Sequence, residues 1–278
     1  MLVIKTIEDL KDVLFRIRSN GKSVGFVPTM GALHEGHISL IKRAKAETEV
    51  VVCSIFVNPI QFNNSDDLLN YPRDLESDIF KIENLVDLVF VPSQEEMYPE
   101  PPKENYSFGT LENVMEGASR PGHFKGVAII VKKLLELISP DKAYFGEKDF
   151  QQLVIVQKLV KDYNLNTQIV ACPIIREQNG LAMSSRNRRL TEHEFEMAGN
   201  INRILQESLK LINQPVKQIK SFVVSEITRI PEFTLDYFEI VDDKSLMNVE
   251  SLDDCEGVVG CIALHLGSVR LIDNVRYK

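Results

Sequence analysis

Apolar and polar residues follow different periods in the two parts of the chain. Ile7, Leu10, Val13, Leu14 and Ile17 fall at helical spacing, and Asn20-Gly21 closes that helix. Val24-Gly25-Phe26-Val27 is an unbroken apolar run, and so is most of 49–57. Such runs suit parallel strands covered by helices on both faces. Between them, Ile38, Leu40, Ile41 and Ala44 mark one face of a helix that carries Lys42, Arg43 and Lys45 elsewhere. The alternation continues with a helix over 75–84, a strand at 87–92, a helix over 126–138, a strand at 142–145, a helix over 150–163 and a strand over 168–175. Strands and helices in turn predict an α/β fold, with a Rossmann-like, mostly parallel sheet and helices on both faces.

After Arg176 the pattern changes. An Asn179-Gly180 turn precedes two helices, over 194–212 and 216–230. Three strand-like stretches follow, 235–241, 257–266 and 269–277, with a hairpin expected at Gly267-Ser268. Their stricter alternation favours antiparallel pairing. The predicted division is therefore 1–176, a Rossmann-like domain, and 177–278, a smaller α+β C-terminal domain. The stretch 95–122, with Pro99, Pro101 and Pro102, reads as a long irregular loop, usually functional or disordered in a compact domain.

Chemistry concentrates where predicted strands end. Pro28-Thr29-Met30-Gly31-Ala32-Leu33-His34-Glu35-Gly36-His37 joins a strand to a helix, with imidazoles at the helix mouth. Unpaired N–H groups at a helix N-terminus and the helix dipole favour an anion there, and a phosphate is the natural guest. A zinc site fits less well, because the His-Glu-x-x-His spacing is absent and no cysteine or third histidine lies at ligand spacing. Gly146-Glu147-Lys148-Asp149-Phe150-Gln151-Gln152 repeats the arrangement at a second strand end. Lys148 could reach a phosphate there, while Asp149 could simply cap the next helix. Met183-Ser184-Ser185-Arg186-Asn187-Arg188-Arg189 gathers hydroxyls and guanidiniums suited to phosphate oxygens, although a solvated basic loop explains them equally. Arg120-Pro121-Gly122-His123-Phe124-Lys125-Gly126 closes the irregular stretch with basic groups. Asp74 and Asp78 are candidates for holding Mg²⁺, against capping and solvation as the commoner uses of Asp.

Composition narrows the classes. Hydrophobic content of 44% and charged content of 26% are ordinary for a globular protein, and the net charge of −8 gives no general attraction to nucleic acid or anionic membrane. No segment approaches the roughly 18–20 apolar residues of a membrane span, and no signal peptide is read at the N-terminus, so a cytoplasmic location is the default expectation. Cys53, Cys172, Cys255 and Cys261 lack metal or redox spacing and read as reduced thiols.

Together these motifs resemble a known family. The stretch 28–37 is similar to the His-x-Gly-His motif of adenylate-forming nucleotidyltransferases, and Met183-Ser184-Ser185-Arg186 to that superfamily's second signature. With SIFVNPIQF, YPRD, RPGHFKGVA and FGEKDFQQ in this order, the chain resembles the pantothenate synthetase (pantoate–β-alanine ligase) family. It departs from the family pattern at Gln178-Asn179-Gly180 and at Ser77, which precedes Asp78.

The resemblance implies a magnesium-dependent, ATP-consuming ligase that forms pantoyl adenylate and then passes the acyl group to β-alanine, releasing AMP and pyrophosphate. It implies that 1–176 binds nucleotide and pantoate and that 177–278 acts as a lid. It places His34, His37, Lys148 and Arg186 in catalysis. It implies an ATP site from Met30, Gly31, Ala32, Leu33, His34, Glu35, Gly36, His37, Gly146, Glu147, Lys148, Asp149, Ile175, Met183, Ser184, Ser185 and Arg186. Gln61 and Gln152 would bind pantoate or β-alanine, Asp78 would be the metal candidate, and the protein would be a homodimer without nucleic-acid or membrane partners. Sites of this kind are often described with the second histidine as proton donor. Charge stabilisation suits His37 better, since no proton must move in adenylation. The competing readings are a nucleotidyltransferase whose product keeps its nucleotide, and a nucleic-acid-binding module carried by Arg186-Asn187-Arg188-Arg189, against which the net charge counts.

Overall fold

The computed structural model describes all residues, Met1–Lys278. In chain order its elements are β1 (Leu2–Ile4), α1 (Ile7–Ser19), β2 (Val24–Thr29), α2 (Glu35–Glu47), β3 (Val50–Ile55), α3 (Ser65–Leu69), α4 (Leu75–Ile82), β4 (Leu88–Phe90), α5 (Gln94–Met97), α6 (Met115–Ser119), α7 (His123–Ile138), β5 (Lys142–Gly146), α8 (Phe150–Asp162) and β6 (Gln168–Cys172). Then come α9 (Glu192–Ser208), α10 (Val216–Thr228), β7 (Phe233–Asp242), β8 (Val258–Leu266) and β9 (Val269–Arg276). The chain clusters into two compact units, and they are interleaved in sequence. The first comprises 1–108, 120–147 and 155–173, and the second 109–119, 148–154 and 174–278.

The first unit is a six-stranded sheet in the order β1-β4-β3-β2-β5-β6. Every pairing in it is parallel. Alternate residues of the strands serve opposite faces. Val27, Val51, Cys53 and Tyr144 join one cluster with Leu33, Ile38, Ile41 and Ala44 around α2. Phe26, Val52 and Ala143 are equally buried on the other side, where α7 packs against β2 and α1 against α7. The α/β reading of the sequence thus stands.

Boundaries shift for local reasons. The strand expected over 168–175 stops at Cys172, because Pro173 has no N–H to give a ladder. The helix expected from 126 starts earlier, at His123, where Gly122 takes φ +81° at the N-cap. β1, three residues long at the sheet edge, has no periodicity to announce it. The stretch 95–122 holds α5, a 3-10 turn at Gly109–Glu112 and α6 rather than a continuous loop.

In the second unit, β7, β8 and β9 form an antiparallel sheet, with α9 packed on β9 and α10 on β7. Its core gathers Ile201, Ile204, Ile219, Val223, Ile227, Phe238, Ile262 and Leu264. The β8–β9 hairpin turns at Gly267, φ +55°. Thr191 caps α9 through a reciprocal pairing with Glu194. The segment 109–119 is tied in by side chains. Gln151 donates to the Leu111 and Val114 carbonyls and accepts from Glu116 N–H. Arg270 holds the Glu116 carboxylate with two bonds, at 2.7 and 2.8 Å, and also reaches Asp236 at 2.7 Å.

Candidate active site

In the first unit, the turn after β2 is built by satisfying its own backbone. Thr29 Oγ1 donates to the Ser54 carbonyl and accepts from Gly31 N–H. Gly31 (φ +81°) and Ala32 (φ +51°) turn the chain through the left-handed region. Asp78 on α4 lies beneath, 2% exposed, and its two oxygens each accept a backbone N–H at 2.7 Å, from Ala32 and Leu33. Lys81 donates to the Leu33 carbonyl at 2.9 Å. His34 is the N-cap of α2, and its Nδ1 accepts from Gly36 N–H at 3.2 Å, while His37 Nδ1 accepts from His34 N–H at 3.3 Å.

This changes the picture of the anion site. The N–H groups of Gly31, Ala32, Leu33, His34 and Gly36, which the sequence suggested would face a phosphate, are spent on protein side chains. What the turn contributes instead is imidazole. With Nδ1 of each ring accepting a backbone N–H, the neutral ring carries its proton on Nε2, so both histidines are Nε2–H donors. Their ring centroids are 4.1 Å apart, with the ring planes tilted by 46°.

Asp78 is likewise explained by the loop, since both its oxygens serve backbone amides. No group of three or more His, Cys, Asp or Glu side chains in the structure has metal-site geometry. The residues do not compose a protein-only cage for magnesium.

Also in the first unit, Gln61 closes a 3-10 turn, Pro59–Gln61, behind β3. Its Nε2 lies 2.9 Å from Met30 Sδ, and its Oε1 accepts from Asn58 Nδ2 at 3.2 Å. α7 approaches this turn closely: a Cβ on Gly126 would stand 2.5 Å from the Ile60 oxygen and 2.7 Å from Gln61 Cα. Only glycine permits that contact. His123, buried, pins the Gln61 carbonyl through Nδ1 at 2.8 Å. A carbonyl can only accept, so Nδ1 carries the proton and Nε2 accepts from Arg120 at 3.3 Å. Asn58 and His123 thus hold the Gln61 turn in place, which residue patterns alone did not show.

The 3-10 turn Glu147–Asp149 runs directly into α8, with Asp149 immediately before its first residue, Phe150. Lys148 is held at its carbonyl by Asn274 Nδ2 at 3.2 Å, and its ammonium lies 3.9 Å from the Asp149 carboxylate. Of the neighbouring amides, Gln151 is buried and fully used by 109–119, whereas Gln152 remains half-buried.

The backbone folds Ile175 against Met183, with Met183 N–H donating to the Ile175 carbonyl at 2.9 Å. Ser184 caps the 3-10 turn Ser185–Arg189 by accepting from Arg186 N–H. Asn187, buried, donates to the Ala182 carbonyl and fixes the turn from inside. Arg176 anchors the same loop by a two-bond pair to buried Asp273, at 2.7 and 3.0 Å.

The cysteines do not belong to this chemistry. Burial pushes the Cys53 and Cys261 thiols up to about 12 and Cys172 to about 11, so none is a thiolate at neutral pH.

A parallel α/β sheet whose second strand ends in a His-x-Gly-His turn, in a chain that also carries a capped Ser-Ser-Arg turn, defines a nucleotide-handling enzyme of the His-x-Gly-His nucleotidyltransferase class. Comparison with known proteins narrows this. The family model described as pantoate-beta-alanine ligase matches residues 2–276, and the chain belongs to that family. It is 50% identical to the pantothenate synthetase of Phocaeicola vulgatus over the full length of both. Among solved structures, it resembles the pantothenate synthetase of Thermus thermophilus with a TM-score of 0.94 at 40% identity, covering 100% of this chain and 99% of that one. It also resembles the Francisella tularensis pantoate-beta-alanine ligase complexed with β-γ ATP and β-alanine, with a TM-score of 0.84 at 37% identity, covering 100% and 98%.

Proposed function

We propose that the chain condenses pantoate with β-alanine at the expense of ATP, through a pantoyl-adenylate intermediate, and releases AMP and pyrophosphate. The observation that carries this reading is half-identity to a pantothenate synthetase over the full length of both chains. The pantoate carboxylate attacks the α-phosphorus of ATP, and the bond to the β-phosphate bridging oxygen breaks. The β-alanine amine then attacks the acyl carbon of the mixed anhydride, and AMP leaves.

Negative charge grows on the phosphoryl oxygens and the departing pyrophosphate, so catalysis asks for donors fixed in advance. The Nε2–H groups of His34 and His37 suit that task, and no proton needs to leave either ring. Lys148, Ser184, Ser185 and Arg186 add cationic and hydroxyl donors, while residues 30–37, 146–149, Ile175 and Met183 complete the nucleotide contacts. Gln61 and Gln152 receive pantoate as neutral amides, which orient an anion without trapping it. Magnesium enters as part of the substrate, carried on phosphate oxygens, in keeping with its preference for phosphates and water over dedicated protein cages. Residues 177–278 serve as a lid that keeps water from the adenylate. A homodimeric, cytoplasmic enzyme fits this role, and no helix is long and apolar enough to cross a membrane.

The deciding experiment is ATP–pyrophosphate exchange with pantoate alone. Exchange without β-alanine, followed by free AMP once β-alanine is added, is the expected result. ADP as product, or exchange that requires β-alanine, would overturn the adenylate route.

A further inference from the structure

The Gln61 amide has a fixed sense, and the groups that fix it lie outside the proposed substrate contacts. Asn58, 1% exposed, meets partners of set polarity at both ends. Its Nδ2 donates to the Gly126 carbonyl at 3.0 Å and to Gln61 Oε1 at 3.2 Å. Its Oδ1 accepts from the Tyr98 hydroxyl at 2.9 Å and from Ile60 N–H at 3.4 Å. A carbonyl only accepts and a backbone N–H only donates, so Asn58 cannot turn over without losing both. The sense passes on: Oε1 is the end of Gln61 that faces Asn58, and Nε2 is the end beside Met30 Sδ. Sulfur is a weak acceptor, which leaves that N–H₂ with capacity for an anionic oxygen.

We propose that Tyr98, acting through Asn58, holds the Gln61 amide with its N–H₂ end toward the hydroxy acid, and is a positioning residue for pantoate. The inference rests on the reading of Gln61 as a pantoate ligand. Of the two donors to Asn58 Oδ1, the Ile60 N–H is long and the Tyr98 hydroxyl is the stronger. The Tyr98 ring is itself fixed. It packs against Phe56 with centroids 6.1 Å apart, under the Lys133 ammonium at 5.6 Å, while Lys133 also bonds the Met97 carbonyl. Burial raises the pKa of the Tyr98 hydroxyl, so the donor keeps its proton at neutral and moderately alkaline pH. Without that hydroxyl, Asn58 keeps the Gly126 and Ile60 bonds that set its sense but loses its short bond at Oδ1. Its amide then shifts within that sense, and the Gln61 N–H₂ is held less tightly toward the carboxylate.

The test is a double-mutant cycle of Tyr98→Phe and Gln61→Ala in the full chain, with KM for pantoate, KM for ATP and kcat measured for each. Phenylalanine keeps the ring packing and removes the O–H alone. Tyr98→Phe is expected to raise the pantoate KM roughly 3- to 10-fold, the scale of one neutral hydrogen bond, with the ATP KM unchanged. The double variant should be no worse than Gln61→Ala. A merely structural Tyr98 would move both KM values, kcat and the thermal midpoint together. An unchanged pantoate KM in Tyr98→Phe, or losses that multiply in the double variant, overturns the positioning role. An unchanged pantoate KM in Gln61→Ala identifies the failure as that of the ligand reading, and the proposal falls with it.

Discussion

His34 and His37 show how much one residue's role depends on which of its atoms are already engaged. Both rings give Nδ1 to the backbone of their own turn, so each also helps cap α2. His37→Ala should lower turnover roughly 10²–10³-fold, the cost of one charge-stabilising donor, while the lost cap bond costs only about 1 kcal/mol of stability. Steady-state release of AMP, set beside a thermal melt, separates the two; near-normal turnover would remove His37 from catalysis. Asp78 is the converse case, a carboxylate whose two oxygens each accept a backbone N–H. Asp78→Asn replaces one acceptor oxygen with an N–H₂ facing a backbone N–H, and should cost about 1–3 kcal/mol in urea denaturation. The magnesium concentration for half-maximal turnover at saturating ATP should stay where it was. A large rise in it would return Asp78 to the metal.

At the scale of elements, α2 is fixed at both ends: its N-terminus by the histidine cap and its C-terminus by Glu47. Glu47 accepts from Lys142 at 3.0 Å and from the Tyr144 hydroxyl at 3.2 Å, both on β5, and pairs with Arg43 one turn back. The bonds from Lys142 and then Arg43 hold its carboxyl near pKa about 2, against an ordinary 4.5. The folded state therefore binds fewer protons than the unfolded state between those values, and stability rises with pH across them. The contribution is complete above about pH 4.5 and disappears as the pH falls to 2. Glu47→Gln should flatten this acid limb in a plot of melting temperature against pH, and an unchanged limb would show that the pair contributes nothing.

Much at this scale was legible beforehand. Apolar runs with covered faces read as parallel strands, and α1, α4 and α8 came within a few residues of their final bounds. Ends were less legible, because Pro173, Gly122 and the Thr191–Glu194 cap act through single backbone groups that periodicity does not register.

For the whole molecule, the division of the chain is not a single cut. The second unit takes in 109–119 and 148–154 as well as 174–278. Glu116 supplies the carboxylate that Arg270 holds with two bonds, and Tyr237 also donates to it at 2.8 Å. Removing one partner of such a sheltered pair costs about 3–5 kcal/mol. A fragment of 174–278 alone should therefore lose the cooperative thermal transition of the intact chain, read by circular dichroism. Cooperative melting at the full-length midpoint would show that the inserted segments are dispensable.

By itself, the sequence determined the α/β class, the order of the motifs and the family, because these reside in periodicity and in local strings of residues. It also offered candidate chemistry-bearing side chains, since phosphate chemistry requires imidazole, ammonium, guanidinium and hydroxyl groups. Only the tertiary structure decided how those groups are employed. Asp78 reaches across 45 residues to Leu33 and His123 across 62 to Gln61, and no local pattern records such pairings. The turn after β2 therefore looked like a cradle of free amides, whereas folding spends those amides on Asp78, Thr29 and the histidines. Hydrogen-bond polarity is settled by whichever partner arrives from elsewhere in the chain, and that partner is fixed by packing.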